Sequence, residues 1–358
     1  MAATFLPMLA TLADGPLQAK GWVYEPKYDG IRAIVELGPA GTVRLWSRLG
    51  NEKTAQFPEI AAALARWARK VRHALVLDGE IVALNARGEP VGFQGLQGRI
   101  HLTGERDIAR ATSSRPTALI LFDLLRDGDE DLRARPLSER RARLEQRIGS
   151  VRDPVLRLSE QAVGDGRPMR ARAEQEGWEG LIAKEAASPY QSGRRSPAWR
   201  KLKILKRQEF VVGGWTEPRQ SRSYFGALLL GLYDHEGRLQ YVGHTGTGFD
   251  QKELARVYAL LKQREARESP FATRIKANEP AHWVRPELVA EIKFTEWTSD
   301  AKLRQPVYLG LRDDKAAKDV VRESTEPVAG SEALVARALP PSLKPRRTPR
   351  RPARGGER

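Results

Sequence analysis

Seven short runs of β-branched and aromatic residues crowd residues 21 to 205 of this 358-residue chain, and they restrict that stretch to a mixed α/β fold. The runs are "WVY", "IRAIVEL", "TVRLWS", "ALVLDGEIVAL", "TALILFDLL", "EGLIAKE" and "WRKLKIL". Three stretches with helical spacing interrupt them: "PEIAAALARWARKV", "SERRARLEQRI" and "PMRARAEQEG". In the second, Ser138 stands where an N-cap belongs, and Leu137, Leu144 and Ile148 make an apolar stripe. After Leu205 the texture changes. "EFVVGGWTEP", "GALLLGLYD" and "LQYVGHTG" read as strands, "QKELARVYALLKQRE" as a helix, and "LVAEIKFTEW" and "VYLGLRDD" as two more strands. Three strands, a helix and two strands is the order of a small OB-type barrel, and an SH3-like barrel fits the pattern as well. Beyond about residue 325 the chain becomes Ala, Pro and Arg without periodicity, which predicts disorder. The expected divisions are 1–204, 205–325 and a basic tail, 326–358.

Charge narrows the partner. There are 61 Lys and Arg against 45 Asp and Glu, a formal net charge of +16. The terminal "KPRRTPRRPARGGER" supplies part of that excess, but most of it remains on the rest of the chain, as expected for a protein that meets a polyanion such as nucleic acid. Cysteine is absent, which excludes disulfides, thiolate catalysis and cysteine-ligated metals. No apolar run is long enough to cross a membrane, and the N-terminus lacks the basic start of a secretory signal. A cytoplasmic, nucleoid-associated protein is expected.

The stretch "EPKYDGIR", residues 25 to 32, sets Lys27 between two strand-like runs, with Glu25 and Asp29 each two residues away. An extended backbone would turn all three the same way, and Gly30 would let a turn approach a ligand closely. A lysine amine acts as a nucleophile only when neutral, so nearby cations or desolvation must lower its pKa. Alone, "KYDG" is an ordinary surface turn. Its companions change that. Arg48 ends a strand in "SRLG"; "LDGEIV" puts Asp78 and Glu80 on one strand face; "LFDLL" offers Phe122 beside Asp123. "EGLIAK" brings Glu179 and Lys184, "WRKLK" brings Lys201 and Lys203 on one face, and "LRQPVYLGLRDDK" closes the series with Arg304, Arg312 and Lys315.

This ordered set resembles the covalent nucleotidyltransferases, which comprise DNA ligases, RNA ligases and mRNA-capping enzymes and share the nucleophile motif K-x-D-G. The likeness runs from about residue 5 to 320. "FQGLQGRI" after "LDGEIV", and the ending "LGLRDDK", are most similar to the ATP-dependent ligase module of bacterial non-homologous end-joining ligase D. The polymerase and phosphoesterase modules often fused to it are not in this sequence, so either a stand-alone ligase or one excised module is expected.

The resemblance implies a nucleotidyltransferase (adenylation) domain followed by an OB-fold, and three phosphoryl transfers. Lys27 attacks the α-phosphate of ATP, the AMP passes to a DNA 5′-phosphate, and the 3′-hydroxyl then displaces AMP. Lys201 and Lys203 would hold the α-phosphate and help keep Lys27 neutral, and Glu80 and Glu179 would bind Mg²⁺ or Mn²⁺. Glu25 would read the adenine, Phe122 would stack on it, Arg32, Arg48 and Arg195 would hold ribose and phosphate, and Arg312 and Lys315 would act while ATP still carries its outer phosphates. "SRLG" departs from the more usual "SRNG", leaving Leu49 without a polar role. The absence of cysteine and the short stretch ahead of Lys27 favour ATP over NAD. The expected substrate is nicked or broken duplex DNA, met by a monomer with a Ku-like end-binding protein as partner. An RNA ligase, a capping guanylyltransferase and a non-catalytic DNA-binding protein remain the alternatives.

Overall fold

The computed structural model describes residues 5–149, 151, 153–219, 222–275 and 279–323. The expected tail, 326–358, lies outside the described residues. Through Lys203 the described strands are β1 (Leu9–Leu12), β2 (Gln18–Pro26), β3 (Ile31–Leu37), β4 (Val43–Trp46), β5 (Leu75–Leu84), β6 (Pro90–Val91), β7 (Thr117–Asp127), β8 (Glu130–Asp131), β9 (Leu156–Leu158), β10 (Ala162–Asp165), β11 (Gly180–Glu185) and β12 (Arg195–Lys203). Between them lie helices α1 (Pro58–Val71), α2 (Gln94–Ile100), α3 (Glu105–Ser114), α4 (Leu137–Ile148) and α5 (Arg167–Glu176).

Two sheets result. One has the order β1-β12-β11-β2-β10; the other runs β4-β3-β5-β7-β8, with β6 on β5 and β9 on β7. The apolar run of β7 is buried from Thr117 to Leu125, as a central strand covered on both faces requires. Helix α1 covers the second sheet because its apolar residues recur at helical spacing: Ile60, Ala63, Leu64, Trp67 and Ala68 are all buried. Pro58 opens that helix, and Arg72 closes it with a left-handed φ of 62°.

Helix α4 corrects one expectation. Ser138 is not its N-cap. Pro136 takes that position, and the first-turn amides are satisfied by another segment: Leu137 N donates to Ser188 O and Ser138 N to Ala186 O, both at 2.9 Å. The stripe itself holds, with Leu137, Leu144 and Ile148 buried. Helices α2 and α3 were not expected. Each is short, and α3 buries only Ile108, so neither carries a sustained apolar period.

From Arg207 onward come β13 (Arg207–Thr216), β14 (Leu228–Tyr233), β15 (Leu239–Thr245), α6 (Gln251–Lys262), β16 (Glu265–Ala266), β17 (Ala281–Val284), β18 (Val289–Lys293), β19 (Glu296–Trp297), β20 (Leu303–Arg304) and β21 (Val307–Arg312). Strand β13 organises them. It pairs with β14 along one edge and with β18 and then β17 along the other, while β21 pairs with β18. Helix α6 follows the third long strand, capped by the Asp250 side chain accepting from Glu253 N at 2.7 Å. This is the OB-fold layout, with the extra short strand β17 inserted. Its core gathers Phe210, Leu230, Val257, Ile292 and Tyr308, all fully buried.

One buried ion pair locks the first part together. Asp123, next to Phe122, is fully buried, and Arg140 of α4 donates to both its oxygens at 2.8 Å. Arg140 also donates to the carbonyls of Arg135 at 2.6 Å and Ser188 at 3.0 Å. Removing one partner of such a pair strands the other in low dielectric. Arg140→Ala should therefore lower unfolding free energy by about 3–5 kcal/mol, read from urea denaturation midpoints at constant m-value. A change below about 1 kcal/mol would show that water or another cation satisfies Asp123.

Candidate active site

Lys27 sits where the chain leaves the first sheet for the second. Its strand, β2, ends at Pro26, and its main chain is pinned by Lys27 N donating to Gly180 O at 2.9 Å. Around it lies a solvent-connected cavity of about 200 Å³. The register of the first sheet explains much of the lining. Ile182 of β11 is paired with Glu25 on one side and Lys201 on the other, and Lys184 is paired with Trp199, so alternate residues of three strands face the same space. Glu80 of β5 and Phe122 of β7 enter from the second sheet. Glu209, Glu291, Arg312, Asp314 and Lys315 enter from the OB-fold.

Every residue expected to carry chemistry lines this cavity: Glu25, Lys27, Arg32, Arg48, Glu80, Phe122, Glu179, Arg195, Lys201, Lys203, Arg312 and Lys315. Arg195 is the arginine that lines it; Arg194 is exposed and does not. Arg304 is exposed too, paired with Glu296 at 3.1 Å. Arg200 faces elsewhere, its guanidinium 4.3 Å from the Trp22 ring centroid.

The pairings differ from the expected ones in several places. Burial alone would push the Lys27 ammonium down, but the Glu179 carboxylate in contact with it, with Asp29 and Glu291 near, holds it above the ordinary lysine range. Lys27 is thus protonated here. Lys201 and Lys203 do not depress it, because their charge is directed at Glu323, at 2.5 and 2.6 Å. Burial, reinforced by Lys203, brings Lys201 itself down to about 8. Gly30 also has a different reason from the one expected. A Cβ there would lie 2.1 Å from the Ile81 carbonyl oxygen, so the close approach is to β5 and not to a ligand.

Glu25 is 2% exposed and held by three donors: Lys184 Nζ at 2.8 Å, and Ser159 Oγ and Gln161 Nε2 at 3.1 Å. Lys184, pushed down by burial against the pull of Glu25, lies 4.3 Å from the Phe122 ring centroid. Arg32 lies 4.6 Å from the same centroid and donates to both oxygens of buried Asp78, at 2.5 and 2.6 Å. Arg48 makes no such pair among the described residues, and burial pushes it down.

Of the carboxylates lining the cavity, Glu80 has no hydrogen-bond donor among the described residues. Burial pushes it up to about 8, against Arg32, Lys27 and Arg312. Such a group suits a hard divalent cation, which restores the ionised form. Among the described residues no three acidic or imidazole groups cluster closely enough to hold a metal by themselves. Glu80 and Glu179 therefore fit a cation only with water and ligand oxygens completing its shell.

Sequence reading missed the acids of the OB-fold. Glu209 pairs with Lys315 at 3.2 Å, and burial is overcome there by Lys315 and Arg312, which hold its carboxyl well below the usual range. Arg312 donates to both oxygens of Asp314 at 2.8 Å and to Glu291 at 3.0 Å. Asp29 pairs with Arg207 at 2.5 Å. The available signal was an acid inside an apolar strand, in "QEFVV" and "LVAEIKF". A seam outside the cavity was equally invisible: Lys53 Nζ donates to Asp313 at 2.6 Å and Gln97 Nε2 to Leu309 O at 2.5 Å, tying α2 and its neighbourhood to β21.

Residues 7–203 match the family described as ATP dependent DNA ligase domain, and residues 221–315 the ATP dependent DNA ligase C terminal region. The multifunctional non-homologous end joining protein LigD of Pseudomonas aeruginosa is 40% identical over 321 residues, covering 88% of this chain and 36% of that protein. The LigD of Mycolicibacterium smegmatis is 40% identical over 324 residues, covering 89% of this chain and 40% of its own length. The chain thus spans well under half the length of these relatives. DNA ligase C of Mycobacterium tuberculosis is 32% identical over 337 residues, covering 81% of this chain and 91% of that one. Among solved structures, a mycobacterial DNA ligase D complexed with ATP and MES matches with a TM-score of 0.64 at 37% identity, covering 89% of this chain and 98% of that chain.

The Lys27–Glu179 contact gives a test that needs no substrate. Glu179→Gln removes the charge that raises Lys27, so the Lys27 pKa should fall and its acylation by an amine-reactive ester at pH 8 should rise several-fold, roughly as expected from one lost ion pair. Site-resolved mass spectrometry reads the yield. Equal labelling of Lys27 in both proteins would show that another group sets its protonation.

Proposed function

This chain belongs to the ATP-dependent DNA ligase family, and from that premise we propose that it adenylates itself on Lys27 and seals nicked or broken duplex DNA. The observation that carries this reading is the single cavity in which Lys27 meets Glu179, Lys201, Lys203, Arg312 and Lys315. A transferring phosphoryl group needs in-line positioning and neutralised charge more than acid–base work, and this cavity offers cations on several sides of one amine.

On this reading the Lys27 Nζ lone pair forms a bond to the α-phosphorus while the bond to the bridging oxygen breaks, and pyrophosphate leaves with that electron pair. The ammonium proton, held at Glu179 Oε2, must be given up first. Lys201 and Lys203 cradle the α-phosphate from β12, and Arg312 and Lys315 orient the pyrophosphate from the OB-fold. Glu25 is an acceptor already fixed by Lys184, Ser159 and Gln161, suited to the amino group of adenine. Phe122 supplies an apolar surface for the base, and Arg48 and Arg195 reach ribose and phosphate. Arg32 gives Nε and Nη2 to Asp78, which fixes its guanidinium in the cavity wall beside Arg48 and Arg195 for the same task. Mg²⁺ or Mn²⁺ held by Glu80 and Glu179 would supply neutralisation of phosphate charge when bound.

The relatives named for non-homologous end joining support a role in joining DNA ends. To that reading we add a Ku-like partner, a monomeric state and a place at the nucleoid as proposals of our own. No helix among the described residues is long and apolar enough to cross a membrane. The folded divisions are proposed at 1–204 and 205–325.

Incubation with ATP and Mg²⁺ should add one adenylate to the intact mass, and pyrophosphate should remove it. Lys27→Ala should abolish the adduct. A persistent adduct in that variant, or one formed only from GTP, would overturn the reading. Arg312→Ala and Lys315→Ala should each slow lysyl-AMP formation at least about tenfold, equivalent to about 1.4 kcal/mol. Sealing of a nick already carrying a 5′-adenylate should be far less affected. Equal loss in both assays would indicate damage to the OB-fold and not a first-step role.

A further inference from the structure

The chain carries its own anion on the two lysines proposed to cradle phosphate. Glu323 follows a short strap, residues 320–322, that the OB-fold holds down. Val320 is fully buried, and its carbonyl accepts from Tyr233 N at 2.9 Å. Gln208 Nε2 donates to Val321 O at 2.9 Å, and the Arg322 guanidinium lies 4.5 Å from the Trp297 ring centroid. Thus anchored, Glu323 places Oε1 at 2.5 Å from Lys201 Nζ and Oε2 at 2.6 Å from Lys203 Nζ. One carboxylate spans both ammoniums with one oxygen each, the same demand that two oxygens of a phosphate make. Lys203 Nζ also donates to Arg207 O at 2.6 Å, so its orientation is fixed from the same side.

We propose that Glu323 is an internal competitor for the nucleotide's phosphates: it occupies Lys201 and Lys203 in the free enzyme, must be displaced by the incoming anion, and thereby sets the apparent affinity for ATP. The inference rests on the reading of those lysines as phosphate-binding groups. Three features fit it. The carboxylate is half-buried in the cavity wall and not on an outer surface. The two lysines hold its carboxyl down to about 2 although burial opposes them, so it stays ionised throughout the working pH range. It also belongs to the OB-fold strap, whereas its partners belong to β12, so retreat of the strap frees both lysines together. Until then Glu323 serves them as a neutralising partner, which two adjacent ammoniums in a partly desolvated wall require.

The test uses inorganic tripolyphosphate as probe, with binding to the full-length chain measured calorimetrically, and the apparent KM for ATP in lysyl-AMP formation. Glu323→Gln keeps the shape and removes the charge. The probe should bind about fivefold or more tightly, as expected when a competing charge is lost from a partly buried pair, and the KM should fall in parallel. In a Lys201→Ala/Lys203→Ala background the same substitution should change nothing. Equal or weaker binding by folded Glu323→Gln, judged by an unaltered denaturation profile, would reduce Glu323 to a structural tie and overturn the proposal. If the double lysine variant alone binds tripolyphosphate as well as the parent, the phosphate-site reading fails as well, and this result is distinct from the first.

Discussion

Charges taken out of bulk water must find opposite charges nearby, and that constraint shapes the whole cavity. Lys27, Arg32, Lys184, Lys201, Lys203 and Arg312 would repel one another in a low-dielectric pocket if left alone. Each is matched: by Glu179, Asp78, Glu25, Glu323 for both Lys201 and Lys203, and the Asp314–Glu291 couple. The matching acids come from both parts of the fold, with Glu291, Asp314 and Glu323 contributed by the OB-fold. These six cations are therefore neutralised within the cavity wall, whereas burial pushes Arg48 and Glu80 toward their neutral forms. On the proposed reading, a polyanionic substrate enters by exchanging partners with these acids.

The broad architecture was legible because it depends on local patterning. Runs such as "TALILFDLL", with their β-branched and aromatic residues, read as buried strands, and the spacing of Ile60, Ala63, Leu64 and Trp67 reads as a helix face. The candidate site was legible for a different reason. Its residues are polar groups that strand alternation puts on one face, as with Lys201 and Lys203, and the ordered series carried a resemblance. What escaped was non-local. The helix start at Leu137 is decided by carbonyls of Ala186 and Ser188, some fifty residues away and outside the reach of local capping rules. Short α2 buries Leu96, Arg99 and Ile100 within seven residues, and α3 buries Ile108 alone, too few positions for a periodic signal.

The protonation of Lys27 shows most clearly what sequence cannot supply. A lysine among lysines reads as one whose pKa is depressed. The fold spends those neighbouring charges elsewhere, and the acid that faces Lys27 comes from a segment about 150 residues downstream. Sign and size of such a shift follow from which neighbours are in contact and not from which are present. The same holds for Asp123 beside Phe122, whose fixed partner, Arg140, makes it a structural pin and separates its role from that of the aromatic next to it.

The main-chain tie between Lys27 and Gly180 has a corollary. Gly180 admits no side chain, because β11 runs so close to β12 there that a Cβ would meet the Leu202 carbonyl oxygen at 2.2 Å. The amine thus hangs by its methylene stem from a main chain tied to a position that only glycine can fill. On the proposed reading, the nucleotide and then the DNA end come to that tied amine, which is the reference position for both arrivals.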